Sequence, residues 1–87
     1  LYGLSVLYVF ELGRPADAIP YLERAVDIEK RHIDAMFVLA RSYYMTGDYD
    51  AAVSMYDRIL SVPMDKTRKE EAEKNKATIL NKAYEQN

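Results

Sequence analysis

The sequence predicts an all-α chain, an array of helical hairpins of about five helices, and three observations predict it. The chain resembles itself at a shift of 34 residues: Gly13 falls under Gly47, Ala18 under Ala52, Ile19 under Val53, Arg24 under Arg58 and Ile28 under Val62. A period of that length marks arrays of helix-turn-helix units, none of which can bury its apolar face alone. Within each unit the apolar residues recur at helical spacing. Gly, Pro and Asp then punctuate the units where helices must stop and start.

Leu1 to Leu12 predicts a first helix that is apolar nearly all round, with Glu11 its one charge. Such a helix expects neighbours on more than one side. Gly13-Arg14-Pro15 is a stop followed by a start, Gly suiting a left-handed position and Pro the first turn of a helix. The second helix is expected from about Ala16 to Glu29, burying Ala18, Tyr21, Leu22, Ala25, Val26 and Ile28. Pro20 falls just beyond its first turn and predicts a tight or kinked start.

Asp34 is the expected N-cap of a third helix, Ala35 to about Met45, because its carboxylate can accept from free N–H groups. Met36, Leu39, Ala40 and Tyr43 form one stripe of that helix; Phe37, Arg41, Tyr44 and Met45 form the adjacent one. Gly47 ends it. Asp48 caps a fourth helix, roughly Tyr49 to Ser61, whose buried stripe is Ala52, Val53, Tyr56, Ile59 and Leu60; Pro63 stops it. The run Thr67-Arg68-Lys69-Glu70 reads as a capping box for a fifth helix reaching about Tyr84. Its apolar stripe is thin (Ala72, Ile79, Leu80, Ala83, Tyr84), and Lys76 lies across it through its methylene stem. Charges cover the rest, as in a helix that closes a repeat array against water. A truncated third unit is the rival reading. The expected organisation is therefore 1–32 and 33–65 as two hairpins, with 66–87 as the closing helix.

The second unit carries the residues of a known motif: Met36, Leu39-Ala40, Tyr43, Gly47, Asp48-Tyr49, Ala52, Tyr56 and Pro63. These residues resemble the tetratricopeptide repeat (TPR) family, whose pattern is a large residue, Leu-Gly-x-x-Tyr, a turn Gly, Ala-x-x-x-Phe and a closing Pro. The first unit fits through Gly13, Ala18, Leu22 and Ala25, but Ser5 and Val6 replace the Leu-Gly pair and Lys30 stands where the Pro would be. The resemblance covers residues 1 to 64. It implies a right-handed solenoid whose first helices line a concave groove that holds a peptide or helix of a partner protein. By motif position the groove residues would be Leu7, Phe10 and Glu11, then Asp34, Phe37, Arg41, Tyr44 and Met45, with Asn75 and Ile79 from the last helix. The two-carboxylate clamp of chaperone-tail binders is not matched, since Gly3, Leu7, Phe37 and Arg41 stand at its positions.

Composition narrows the function classes. The 87 residues make one small domain, 49% apolar and 30% charged, with a net charge of −2. Such a balance gives no sign of a nucleic-acid partner, and the lysines and arginines from Lys66 to Lys76 are interleaved with three glutamates that cancel their field. There is no Cys, hence no disulfide or thiol chemistry. No apolar run reaches the roughly 18 residues of a membrane span, and no signal-peptide pattern opens the chain. The chain begins with Leu inside an apolar stretch, so it reads as a piece of a longer protein from which a targeting segment could have been lost. Its compartment stays unknown, with a soluble, cytoplasmic setting the first expectation.

Catalytic and metal residues are not expected, nor is a cofactor. His32, the single histidine, falls in a loop and reads as an exposed polar residue. Asp48-Tyr49-Asp50 lacks the Gly and closing Glu of a calcium loop, and no zinc spacing or phosphate-binding glycine loop occurs. Glu70, Glu71 and Glu73 read as a solvated helix face. The leading expectation is a non-enzymatic interaction scaffold; the alternative is an oligomerisation or spacer module. Two readings stay open for Phe10, Phe37, Tyr44 and Met45: internal packing, or an open apolar groove with Arg41 as its polar anchor. An array cut at its N-terminus also exposes an end suited to self-association.

Overall fold

The computed structural model describes residues 13–85, the side chains of Tyr84 and Glu85 excepted. The expected first helix, with Leu7, Phe10 and Glu11, lies outside those residues. Four helices follow: α1 (Pro15–Ile28), α2 (Ile33–Met45), α3 (Tyr49–Leu60) and α4 (Lys66–Glu85). They correspond to the second to fifth helices expected from the sequence. Each packs chiefly on the helix before it and the helix after it, the near-neighbour pattern of a repeat array.

The turns explain why the period is legible. Gly13 and Gly47 are the two described residues with positive φ, at 63° and 86°. At Gly47 the Asp48 N–H donates to the Tyr43 carbonyl at 2.9 Å and the Gly47 N–H to the Tyr44 carbonyl at 3.1 Å. These two bonds close α2 as a Schellman motif, which needs a left-handed residue at the Gly47 position. Asp48 then opens α3, its carboxylate accepting from the Ala51 N–H at 3.2 Å.

Two other caps differ from expectation. His32, not Asp34, caps α2: its Nδ1 accepts from the Ala35 N–H at 3.1 Å, and the Met36 N–H reaches the His32 carbonyl at 3.0 Å. Starting the helix earlier half-buries Ile33 and leaves Asp34 in the first turn, where negative charge is favourable. His32 is accordingly half-buried rather than exposed. The capping box at Thr67 does not form, because α4 begins before it. Asp65 takes that role, accepting from the Arg68 N–H at 3.3 Å through its side chain and from the Lys69 N–H at 3.1 Å through its carbonyl.

The core is a seam of small and aliphatic residues. Ala18, Ala52 and Ala72 are fully buried where helices approach closely, with Leu22, Val26, Met36, Leu39 and Ile59 around them. Each large aliphatic side chain so buried contributes about 1.5–3 kcal/mol. Two expectations fail at the edges. Ile28 is 71% exposed, being the last residue of α1 and off its buried stripe, and Met55 joins the α3 core. Pro20 sits inside α1 on its exposed side, and the helix continues past it. The carbonyl of Ala16, which Pro20 cannot bond, belongs to an exposed residue and can be met by water.

α4 keeps one side of α2 and discards the other. A shift of 34 residues carries Met36, Leu39 and Ala40, all buried, onto Glu70, Glu73 and Lys74, all exposed. On the side facing α3, Ala72 and Ile79 are buried, and the half-buried Lys76 reaches Asp57 at 2.5 Å.

Gly47→Ala is expected to lower stability by about 1–2 kcal/mol, the cost of a left-handed Cβ, and Gly47→Asn by less. His32→Ala should cost about 1 kcal/mol, with most of it restored in His32→Asn, which keeps a cap acceptor. Urea unfolding followed by helical circular dichroism measures both pairs.

Candidate groove between alternate helices

The shift of 34 residues has a second outcome at the groove. It carries Asp34, Phe37, Arg41, Tyr44 and Met45 of α2 onto Arg68, Glu71, Asn75, Thr78 and Ile79 of α4. A groove of about 590 Å³ runs between the two helices. Asp34, Phe37, Val38, Arg41 and Tyr44 form its α2 wall. Arg68, Glu71, Asn75, Thr78 and Ile79 form the α4 wall, and Tyr56 of α3 contributes between them. The volume falls within the range of small-ligand and side-chain pockets.

The Phe37 ring meets the Tyr56 ring edge-on, with centroids 6.0 Å apart and planes at 73°, a favourable aromatic arrangement. Tyr44 leans on Tyr49 of α3 at 5.5 Å. Both groove rings are thus held from behind by α3, which fixes their rotamers without burying them completely. Tyr56 is itself almost fully buried. Burial pushes its phenol above the ordinary value and Glu71 adds to the effect, while the Asn75 side chain at hydrogen-bonding position and the Arg41 charge oppose it.

One end of the groove is tied across. Arg68 Nη2 donates to Asp34 Oδ1, and its guanidinium lies over the Phe37 ring at 5.3 Å from the centroid. The hydrogen bond to Asp34 raises the Arg68 pKa further, helped by the charges of Asp34, Asp65 and Glu71. Both partners remain substantially exposed, so the pair itself contributes at most about 1 kcal/mol. Its larger effect is positional, because it sets the spacing of α2 and α4 where they begin.

Of the expected groove residues, Asp34, Phe37, Arg41 and Tyr44 come together with Asn75 and Ile79. Met45 does not join that lining; it is 46% exposed at the last turn of α2. Leu7 and Phe10 lie outside the described residues. Arg68, Glu71 and Thr78 were not expected, although carrying the period one unit further names all three. Tyr56 was expected only as core, and Val38 went unassigned.

The opposite side of α2 holds a polar latch. There the Tyr43 hydroxyl donates to Glu23 Oε2 at 2.5 Å, beside a smaller cavity of about 220 Å³ that Arg58 and Asp27 help to line. Desolvation, then the bond to Glu23, push the Tyr43 phenol far above its ordinary value. Among the described residues no group of three or more His, Asp or Glu side chains is placed to hold a metal ion, and no described helix is long and apolar enough to cross a membrane.

A family model described as tetratricopeptide repeat matches residues 9–67. The chain belongs to the tetratricopeptide repeat family. It is also 28% identical over 58 residues to a TPR repeat-containing protein of Borreliella burgdorferi, an alignment covering 67% of this chain and 25% of that protein. The chain thus spans about a quarter of the length of that relative. TPR repeats generally mediate protein–protein interaction, and the family is typically a non-enzymatic scaffold. In this TPR chain the 34-residue register shared by alternate helices is what relates the two groove walls.

In the folded chain both Tyr43 and Tyr56 keep their protons at pH values where the unfolded chain, at its ordinary pKa of 10.0, has lost them. The folded state then binds more protons, so stability should fall as pH rises above about 10. Urea midpoints at pH 8, 10 and 11 should show this decline, and Tyr43→Phe should make it shallower.

Proposed function

We propose that this TPR chain is a non-enzymatic interaction module that holds a peptide or helix of a partner protein along the groove between α2 and α4. The observation that carries the proposal is the groove itself, about 590 Å³, walled by equivalent positions of alternate helices. Its apolar rings are braced by α3 and its rim is polar. An anchor pocket surrounded by polar groups is the usual anatomy of an interaction hot spot. Bracing also lowers the cost of binding, since the rings need little ordering when a partner arrives. Phe37, Tyr44 and Tyr56 supply the apolar contact in this reading. Asp34, Arg41, Arg68 and Asn75 supply the polar contacts. The charged outer side of α4 suits a helix that closes the array there, leaving the groove as the surface for a partner.

Random displayed peptides selected against the chain test this. Two counter-screens fit the geometry: Tyr44→Ala removes a ring, and Thr78→Trp fills the groove from an exposed position. Phe37→Ala is a poorer control, because Phe37 also supports Tyr56 and Arg68. Enriched peptides that share a motif and bind the folded variants at least about tenfold more weakly, roughly 1.4 kcal/mol, are the expected result. Peptides indifferent to both variants would move binding to another surface.

A further inference from the structure

We infer that Arg68 gates the groove: tied to Asp34 across it, the guanidinium covers the Phe37 ring, and an uncharged apolar side chain of a partner reaches that ring only when Arg68 lets go. The inference rests on the groove being the ligand site.

Position is the first support. Phe37 is half-buried and lines the groove, and Tyr56 meets it edge-on from α3. The Arg68 guanidinium lies over the ring, 5.3 Å from its centroid. An occupant of this end therefore meets Arg68 before it meets Phe37. The lining asks for no compensating charge, because Asp34 and Glu71 are matched by Arg41 and Arg68. What the covered ring has to offer is apolar contact, which suits an uncharged side chain.

The strength of the hold is the second support. The Arg68 and Asp34 side chains are 40% and 56% exposed, and an exposed ion pair shifts an equilibrium by about fivefold at most. A cation over a ring at an exposed site adds a factor of about the same size. Together they keep Arg68 in place by no more than about thirtyfold, little enough for a partner to reverse. The freed guanidinium has other carboxylates to turn to. Asp65 stands three residues before it and Glu71 three after, and both already act on it. Once apart, Asp34 and Arg68 are available to the partner as polar contacts. Tyr56, almost fully buried, still braces Phe37 from α3, so opening uncovers a ring already in position.

Two measurements test the gate. In the first, nuclear Overhauser contacts between the Arg68 side chain and the Phe37 ring protons are compared in wild type and Asp34→Ala without any ligand. Contacts present in wild type and weakened in Asp34→Ala are expected. Contacts missing from wild type, or unchanged in Asp34→Ala, overturn the gate. In the second, random displayed peptides lacking Asp, Glu, Lys and Arg are selected on the wild-type chain. They are then titrated by fluorescence anisotropy against wild type, Asp34→Ala, Phe37→Leu, Asp34→Ala/Phe37→Leu and Thr78→Trp, all checked for helicity. Asp34 is exposed and Ala is a good helix former, so its substitution does not put the fold at stake. Peptides that need the groove, being lost on Thr78→Trp, should bind Asp34→Ala about fivefold more tightly than wild type, since apparent affinity rises with the open fraction. That gain should vanish between Phe37→Leu and Asp34→Ala/Phe37→Leu. Peptides lost on Thr78→Trp that show no gain, or keep it without the Phe37 ring, overturn the gate and leave the groove standing. Peptides indifferent to Thr78→Trp, or no peptides at all from the folded chain, overturn both.

Discussion

A single amphipathic hairpin has more apolar surface than its own two helices can cover, and this constraint organises the chain. α2 is buried over most of its circumference because α1 and α3 lie on either side of it. The seam is made of alanines where backbones come close and of Leu, Ile, Val and Met where they do not. Because each helix is satisfied by its sequence neighbours, alternate helices are free to stand apart, and that separation is the groove. The rings projecting into it are set by core contacts made one layer below. Tyr56 belongs to both layers at once, almost fully buried in the seam and lining the groove from α3.

Much of the fold was legible because its punctuation is chemical. A Schellman turn needs a left-handed residue, so Gly47 discloses where α2 closes, Gly13 repeats that positive φ one period earlier, and Asp48 discloses the next start. Legibility ended where two capping residues competed. Asp34 and Thr67 are sound caps in isolation; the turns begin earlier because packing draws Ile33 inward and Pro63 releases the chain just before Asp65. Nothing local announces His32 as a cap, since imidazole is an uncommon choice for it.

The groove was half legible. Its α2 wall follows from helical spacing and the family pattern. The α4 wall looks, by composition, like an ordinary solvated helix, and its alternating lysines and glutamates conceal the register. Arg68, Glu71 and Thr78 emerge only when the period is pursued into a helix whose outer side no longer obeys it. Met45 errs in the other direction, close to the stripe by spacing yet outside the lining at the end of its helix.

The thin apolar stripe of α4 bears on occupancy. Among the described side chains of α4, Ala72 and Ile79 are the buried ones, whereas α2, packed between two helices, buries six. One wall of the groove belongs to α4. In the proposed reading a partner lying in the groove touches both α2 and α4, so it would favour the docked position of α4. Contacts on the charged outer side of α4 would then reach the groove through the position of that helix rather than by touching it.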